Sequence, residues 1–509
     1  MSRRTVLHAV STIPVVASLA AIAVASAATS ASAADQPLPV NRPANPIGGA
    51  AISEYAPGRS STLGGQRQVI VQGDLDLDAI TQDNYRDGEQ GLGDHRGRGL
   101  IRCDFGLKMT LDDKVKVQLI LGYHGEAGGV AANSPVDGPA PGSGQSGNQG
   151  PNGFQDRNGD ARGAVVLQQA FVRLQDVLGF NTVTAIAGRM PESFWVHQDL
   201  TEEKYSNEKK RAMLLDSRAD DRDLTSWDGF RASYSGFDTW QIIPYVYRTP
   251  DATGLYGLAL DWRPMESNAN QQLFITGSWN VMRNVPIKSG FDANGQITNS
   301  KGKSLTTWYV GTDYKSGGFS FFGEVGYQTG NQGNGENFAG RGATGGIEWQ
   351  FGPNSPVTMG LLADYFSGDS NSGDGKNSRF INPYEHICDT YIVENEKYGE
   401  LSRYFDGDLQ ALKVKLGVRM ANDNSVRMDL IWGGYRLDSA ASAQRYLGQE
   451  VDLTISWRVS YDARLSLLGG VFLPGPGFKL IAPPNPLPLG ESAGNSPIYM
   501  AGVNLKVAF

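Results

Sequence analysis

The sequence predicts an all-β protein, a transmembrane antiparallel up-and-down β-barrel of about 18 strands. The chain ends on an alternating strand that has an aromatic residue at each end. It begins with a segment that has the layout of an export signal. Between these ends, short alternating segments follow one another, joined in turn by brief polar turns and long loops. Together these observations predict one closed sheet in a membrane.

The closing strand covers residues 498–509 and has two different faces. One face is apolar and carries Tyr499, Ala501, Val503, Leu505, Val507 and Phe509. The other face is mostly small or polar and carries Met500, Gly502, Asn504, Lys506 and Ala508. Since side chains alternate along a strand, the first set suits lipid with aromatic residues at both interfaces. A soluble edge strand is the alternative interpretation.

The amino terminus predicts export from the cytoplasm. Arg3 and Arg4 precede an apolar run, and Ala31-Ser32-Ala33 has the form of a signal-peptidase site. We expect residues 1–34 to be a signal peptide and residues 35–65, which are rich in proline, to be a flexible periplasmic segment. Residues 66–509 are then the barrel.

Composition narrows the function further. Mean hydropathy is −0.32, and no run of 18 apolar residues follows the signal, so no transmembrane helix is predicted. The net charge of −8 disfavours a nucleic-acid partner. Cys103 and Cys388 lie far apart, and we expect them not to pair. The five histidines have no metal-ligand spacing, so neither a metal nor a cofactor is predicted.

Eighteen alternating segments follow one another along the chain. They are residues 66–80, 101–111, 115–123, 164–174, 182–190, 229–234, 239–248, 256–262, 273–279, 308–314, 319–327, 343–351, 357–365, 412–420, 426–432, 451–457, 463–471 and 498–509. Short turns such as Asp112-Asp113-Lys114 alternate with long loops, among them residues 125–162, 191–226, 282–304, 367–408 and 473–496. Bacterial barrels have short periplasmic turns and long external loops. No fixed repeat suggests a solenoid.

Three motifs carry a resemblance to a known family. The first is Ala187-Gly188-Arg189-Met190, the second is Trp227-Asp228-Gly229-Phe230-Arg231, and the third runs from Ala363 to Ser367-Gly368-Asp369. In this order they resemble the alginate-export family of outer-membrane β-barrel channels, over roughly residues 164 to 410. The resemblance implies a passive channel in the bacterial outer membrane that passes anionic polysaccharide through a basic constriction.

The residues expected to line such a constriction are basic side chains on the polar strand faces. They are Arg189, Arg231, Arg102, Lys413, Lys415, Arg427, Arg458 and Arg464. The last five strands together with the second and third are richer in bases than in acids, so one wall of the lumen could guide anions. Alternatively, these charges pair with acids and brace the wall. For Arg189 and Arg231 a structural pair with Asp228 or Asp364 is the competing interpretation.

Several functions remain in competition at this point. The first hypothesis is a channel for anionic sugars or small anionic solutes. The alternatives are a general diffusion porin of low selectivity and a structural or display barrel. An enzyme is not predicted, because no serine and histidine stand in a catalytic arrangement. We expect contact with outer-membrane lipid and lipopolysaccharide and with the barrel assembly machinery. Asp369 and Asp374 could bind Ca²⁺, but ordinary turn chemistry explains them better.

Overall fold

The computed structural model describes residues 60–62, 68–83, 96–111, 114–127, 165–180, 182–190, 227–237, 239–249, 254–264, 271–291, 297–333, 335–351, 355–371, 373–381, 389–394, 407–420, 425–439, 444–460, 462–478 and 496–508. Residues 1–34, which are predicted to be a signal peptide, lie outside these ranges, as do Cys388 and Phe509. In the described part of the chain, no helix has the length and apolar character needed to cross a membrane.

The described strands form one sheet of 21 members. They are β1 (Ser60–Thr62), β2 (Gln68–Asp83), β3 (Arg96–Thr110), β4 (Val115–Ala127), β5 (Val165–Gln175), β6 (Val183–Met190), β7 (Trp227–Phe237), β8 (Trp240–Arg248), β9 (Gly254–Trp262), β10 (Gln271–Phe291), β11 (Ile297–Ser316), β12 (Phe319–Gly333), β13 (Glu336–Phe338), β14 (Arg341–Gln350), β15 (Val357–Phe366), β16 (Lys376–Asn377), β17 (Leu409–Arg419), β18 (Val426–Arg436), β19 (Tyr446–Arg458), β20 (Ala463–Pro474) and β21 (Ile498–Ala508). A 3₁₀ turn, Val177–Gly179, joins β5 to β6.

The wall is a closed antiparallel barrel of 18 strands, because β1, β13 and β16 are short additions to it. Each wall strand pairs with the next, and β2 pairs with β21 from Asp74–Ala508 to Asp83–Tyr499. Closure leaves no open sheet edge, which a barrel in lipid requires. The predicted fold class and strand number are confirmed. β1 pairs with the start of β2 and lies within the segment predicted to be flexible.

Strand alternation sorts the side chains onto two faces as predicted. On the outer face, large apolar side chains such as Phe105, Val246, Trp308 and Tyr499 are exposed. On the inner face, polar residues are buried in the lumen, among them Asp104, Glu324 and Asn504. Apolar side chains on the outer surface match a lipid environment, and polar residues match an interior lumen.

One predicted loop is largely strand. We expected residues 282–304 to be a loop, but β10 and β11 continue their pairing up to Phe291 and Ile297, with an irregularity at Lys288–Gly290. The apolar alternation ends before this extension. A hairpin that continues beyond the bilayer needs no lipid-facing residues, so its strands show little of the pattern on which the prediction relied.

The closure seam is held by side chains as well as by the backbone. The Asn504 amide nitrogen donates to the Asp78 carboxylate at 2.8 Å and also to Asp76. Lys506 Nζ lies 3.2 Å from Asp76 Oδ2. These contacts join β21 to β2 on the luminal side, so the last strand is tied to the first by more than its backbone ladder.

Replacing Asn504 should weaken the seam. Asn504→Ala leaves the buried Asp78 carboxylate without this donor, which should cost about 1–3 kcal/mol of barrel stability. The change is measured as a lower temperature for loss of the compact band in a heat-modifiability gel. Asn337→Ala, on the short strand β13, removes an exposed asparagine outside the wall and serves as the control. Equal transition temperatures for the two variants would contradict the assignment.

Candidate functional site

A row of basic side chains runs along the inner wall of the barrel and across the closure seam. Backbone register aligns Arg458 with Arg464, Arg464 with Lys506, Lys506 with Asp76, and Asp76 with Arg102. The row therefore spans five neighbouring strands, from β19 through β20, β21 and β2 to β3. Its first two members flank the short turn between β19 and β20. We call Arg458, Arg464, Lys506 and Arg102 the basic row.

Acids and bases in this row differ in exposure. Arg102 Nη2 lies 3.1 Å from Asp104 Oδ2, but 21% of the Arg102 side chain is exposed against 1% for Asp104. Lys506 is likewise 22% exposed, and its partner Asp76 only 12%. Arg458 is exposed. Each carboxylate is thus covered by its partners while part of each cation faces the lumen, so the accessible charge here is positive.

A second basic group lies beside the first. Arg427 binds Asp429 in a two-point pair, with Nε 2.7 Å from Oδ2 and Nη2 2.8 Å from Oδ1. Arg419 is directly opposite Arg427 in the pairing of β17 with β18. Lys415 faces the same way and is half-buried. Basic side chains therefore lie side by side on β17 and β18, and Arg427 is paired as the competing interpretation expected, with 17% of its side chain exposed against 18% for Asp429.

Lys413 does not face the open lumen. Its side chain is fully buried, and its Nζ lies 2.5 Å from Asp364, 2.8 Å from Asp389 and 2.7 Å from Glu394. Asp364 also accepts a hydrogen bond from Thr344. Three carboxylates around one ammonium group form a structural ion cluster. Lys413 thus anchors a loop, and the prediction that it lines the constriction is wrong.

The anchored loop is the one between β15 and β17, and part of it lies inside the barrel. We call residues 389–394 the docked segment. The backbone nitrogens of Ile392 and Val393 donate to the two oxygens of Glu450 at 2.6 and 2.8 Å. The Tyr391 nitrogen donates to Asp452 at 2.8 Å. Wall carboxylates of β19 therefore hold three consecutive backbone N–H groups of the docked segment.

Apolar contacts complete the docking. Ile392 and Val393 are buried among side chains from the long-loop ends of β17 to β21 and of β2. Earlier in the same loop, Phe380 and Ile381 join a second apolar cluster that β5 to β15 build. The Gln328 side chain both donates to the Ile381 carbonyl and accepts from its nitrogen, each at 2.8 Å. The long-loop half of the lumen is therefore packed, whereas the short-turn half carries the basic row.

The third sequence motif organises the root of this loop. Ser367 Oγ donates to the Ser378 carbonyl at 2.6 Å and accepts from the Arg341 nitrogen at 2.8 Å. The Gly368 nitrogen donates to Asp438 at 3.0 Å. A Cβ at Gly368 would lie 2.1 Å from Asp408 Oδ1, so a larger residue does not fit. The motif therefore shapes the loop.

Asp369 and Asp374 make local turns. The Asp369 carboxylate accepts from the Asn371 nitrogen at 3.3 Å, and the Asp374 carboxylate accepts from the Lys376 nitrogen at 2.9 Å. Both patterns are Asx turns. Among the described residues, no group of three or more His, Cys, Asp or Glu side chains is arranged to hold a metal ion.

Arg189 lies on the outer face of the barrel. It binds Asp228 with Nε 2.8 Å and Nη2 2.9 Å from the two carboxylate oxygens. Asp228 shares its strand face with the lipid-facing Phe230, and register places Arg189 on that face. The prediction of Arg189 as a constriction residue is wrong. The structural pair with Asp228 that the sequence left open is what the structure contains.

Arg231 is luminal, as its parity predicted. It is 6% exposed, opposite Ile186 and Tyr245 in the apolar half of the lumen. The glycines of the first two motifs permit close backbone approach beside it. A Cβ at Gly188, where φ is +125°, or at Gly229 would lie 2.2 Å from a carbonyl oxygen of the adjacent strand. Arg231 is therefore buried in the packed half of the lumen.

Removing the Lys413 ammonium should release the docked loop. Lys413→Met leaves three buried carboxylates without their cation, a change that typically costs about 3–5 kcal/mol. We expect loss of the compact band at a lower temperature and faster proteolysis in the loop between β15 and β17. Lys415→Met, two residues along on the same face but half-buried, is the matched control. Equal protease resistance of the two variants would contradict the anchoring role.

Comparison with solved structures places the fold. An Acinetobacter baumannii protein, OccAB4, aligns with a TM-score of 0.50 at 11% identity, covering 87% of this chain and 99% of that one. The Pseudomonas aeruginosa outer membrane protein opdK aligns at 0.48 and 10% identity, covering 86% and 98%. Pseudomonas aeruginosa OccK11 aligns at 0.47 and 8% identity, covering 86% and 96%. At these identities the likeness concerns the fold alone. No curated protein matches the sequence.

The family comparison is more specific. The family model described as "Alginate export" matches residues 208–480, which is 273 of 509 residues and more than half of the chain. Two of the three motifs, Trp227–Arg231 and Ala363–Asp369, lie in this range, and the motif at Ala187–Met190 precedes it. With the closed 18-strand wall, the match identifies an outer-membrane barrel channel of the porin type. The chain belongs to the alginate export family of bacterial outer-membrane proteins.

Proposed function

We propose that this channel conducts anionic carbohydrate, of the alginate type, or small anionic solutes. The observation that carries the proposal is the unequal exposure of charge in the basic row. Asp76 and Asp104 are buried, whereas Arg458 is exposed and Arg102 and Lys506 each keep about a fifth of their side chain in the lumen. Accessible cations on one wall raise the local anion concentration.

The chemistry of the basic row suits a carboxylated sugar. The guanidinium group of arginine is planar, and its N–H donors match the two oxygens of a carboxylate. Arg458, Arg464 and Arg102 place three such groups on wall strands that the backbone pairing brings into line. The pair with Asp104 holds Arg102 in place, and 21% of the Arg102 side chain stays exposed to the lumen. A passing polyanion could then exchange between neighbouring guanidinium groups without release into bulk solvent. Nothing in this arrangement requires an enzyme, and the family is one of channels.

A general diffusion porin is the second candidate, and the docked segment favours it. Such a porin needs a loop folded inside the barrel to set its bore, and residues 389–394 lie inside. A general porin would, however, show weak charge selectivity and no affinity for an anionic oligomer. A purely structural barrel would not conduct. Outer-membrane lipid is the surrounding partner, and contacts with lipopolysaccharide and with the assembly machinery remain part of the proposal.

The first test is ion selectivity. In a planar bilayer with a salt gradient, the reversal potential should indicate anion preference. The double change Arg458→Gln and Arg464→Gln should move it toward zero, because a unit charge about 4 Å away contributes about 1 kcal/mol in water, or roughly a fivefold change in local anion concentration. Arg189→Gln, on the outer face, removes one arginine charge and should have no effect, whereas each of Arg458→Gln and Arg464→Gln alone should shift the potential. Equal shifts in both variants would contradict the proposal.

The second test concerns solute size and chemistry. Oligomeric alginate added to the bath should block the current in a concentration-dependent way, and a neutral glucose oligomer of matched length should not. Block should weaken as ionic strength rises, because exposed charges are screened over about 10 Å at 0.1 M salt. Equal block by both oligomers would favour the general porin.

A further inference from the structure

Exposed arginines lie on the outer face of the barrel at the long-loop ends of its strands. Arg248 ends β8 and follows the lipid-facing Val246 by two residues. Arg341 begins β14 and is paired in register with the lipid-facing Tyr327. At the short-turn ends the same face carries large apolar side chains, among them Trp240, Trp349 and Trp457. The outer surface therefore becomes basic toward the long loops.

Arg248 belongs to a row of outer-face positions that crosses five strands, from β6 to β10. Register places Arg189 of β6 opposite Asp228 of β7, and Asp228 opposite Arg248 of β8. The next residue in register is Gly254 of β9. Beyond it lies the exposed Arg283 of β10, because a Cβ built at Gly254 would be 3.9 Å from the Arg283 Cβ. Arg248 and Arg283 therefore flank a position that has no side chain.

The row is basic even after its acid is counted. Among the described residues of the row, Asp228 is the one acid, and Arg189 binds both of its oxygens at 2.8 and 2.9 Å. Arg189 Nη1 also donates to the Leu167 carbonyl at 3.1 Å. Arg189 and Asp228 thus form a neutral pair that is fixed to the wall. Arg248 and Arg283 add positive charge beside that pair.

The gap over Gly254 suits a phosphate group. Neighbouring strands lie about 4.8 Å apart, so Arg248 and Arg283 start from backbones roughly 10 Å apart. Two guanidinium groups at this spacing can close on one tetrahedral anion, and each can bind it at two points. Arg283 Nη2 donates to the Tyr256 hydroxyl at 3.3 Å, which directs this guanidinium toward β9. Among the described residues, a Cβ at Gly254 would meet only Arg283 within 4 Å, so the gap is open.

The gap lies at the level where the barrel meets lipid head groups. Tyr256 and Trp279 pack edge to face with their ring centroids 6.3 Å apart, directly beside the row. Aromatic residues of this kind mark the membrane interface, and the long loops lie outside the cell. The lipid of the outer leaflet in this membrane is lipopolysaccharide, whose lipid A carries phosphate groups. A basic surface at this interface is therefore complementary in charge to the lipid around it.

We propose that Arg248 and Arg283, with the gap over Gly254 between them, bind a phosphate group of lipopolysaccharide in the outer leaflet. This inference deepens the lipopolysaccharide contact of the proposed function, on which it rests, and does not depend on the solute that the channel conducts. The phosphate lies between the two guanidinium groups. The acyl chains of the same lipid lie along the apolar strand faces below, beside Val246 and Leu258, which are both exposed.

The test is equilibrium binding of lipid A bisphosphate to the refolded full-length protein in non-ionic detergent micelles. Arg248→Gln and Arg283→Gln, each alone, should raise the Kd about tenfold, because each removes a charge-assisted contact to phosphate. Arg263→Gln is the matched control, since Arg263 follows the last residue of β9 at the opposite, short-turn end. It removes one arginine charge and should leave the Kd unchanged. Arginine variants that bind as tightly as this control would overturn the site.

A second pair of variants keeps both arginines and changes only the gap. Gly254→Asp places a carboxylate between the two guanidinium groups, where it competes with phosphate. Gly254→Asn has the same size without the charge, so the Kd of Gly254→Asp should be about tenfold higher than that of Gly254→Asn. Equal values would overturn the phosphate site. This comparison keeps the inference testable if an arginine variant does not fold.

Comparison of lipids identifies the ligand. Lipid A stripped of its phosphate groups should bind the wild-type protein about tenfold more weakly or worse, because the arginines then have no anion to bind. Equal affinity for the two forms would refute phosphate recognition. Equal affinity for phosphatidylglycerol would indicate a surface for any acidic lipid and overturn the assignment to lipopolysaccharide. A dimer that dissociates in Arg248→Gln would assign the surface to contact between copies of this chain instead.

The outcomes separate this inference from the proposed conduction of anions. A channel without anion preference that binds lipid A through Arg248 and Arg283 would refute anion conduction and support this site. An anion-selective channel whose affinity for lipid A is unchanged in both arginine variants would overturn this site alone.

Discussion

Closure of the backbone ladder is the constraint on which the rest of this structure depends. In hydrocarbon, each unpaired backbone N–H or C=O costs several kcal/mol, so a membrane sheet must have no open edge. Pairing of β2 with β21 meets that requirement, and Asn504 and Lys506 strengthen it through Asp76 and Asp78. Once the wall is closed, the polar and charged side chains of its inner face all lie in one lumen.

That interior is divided along its length. At the long-loop end, apolar side chains from many strands pack around Phe380, Ile381, Ile392 and Val393 of the inward loop. At the short-turn end the basic row remains partly exposed. The two ends differ because the inward loop is held by packing, which needs apolar partners. The cations of the basic row are accessible because the inward loop does not cover them. The proposed anion preference therefore depends on which charges are left uncovered as well as on which residues are present.

Buried charged side chains in this lumen hold a loop segment in position. Lys413 and its three carboxylates, together with Glu450 and Asp452, position a loop segment through direct contacts and through its backbone N–H groups. Such clusters are sensitive to the loss of any one partner, because the remaining charges stay buried. A loop segment held by several specific contacts has a defined position inside the barrel.

The sequence by itself determined the barrel, its 18 strands and the two faces of each strand, because alternation in a lipid-facing strand is a local property that each segment displays independently. It also predicted basic side chains on strands beside the seam, since strand order makes the last strands neighbours of the first. Only the tertiary structure decided which of the basic side chains are exposed in the lumen. Arg189 turned outward to Asp228, and Lys413 was covered by a loop whose residues 389–394 have no periodic pattern. Exposure depends on what lies opposite a side chain across the lumen, and that information is held by distant parts of the chain, outside the pattern of any one strand.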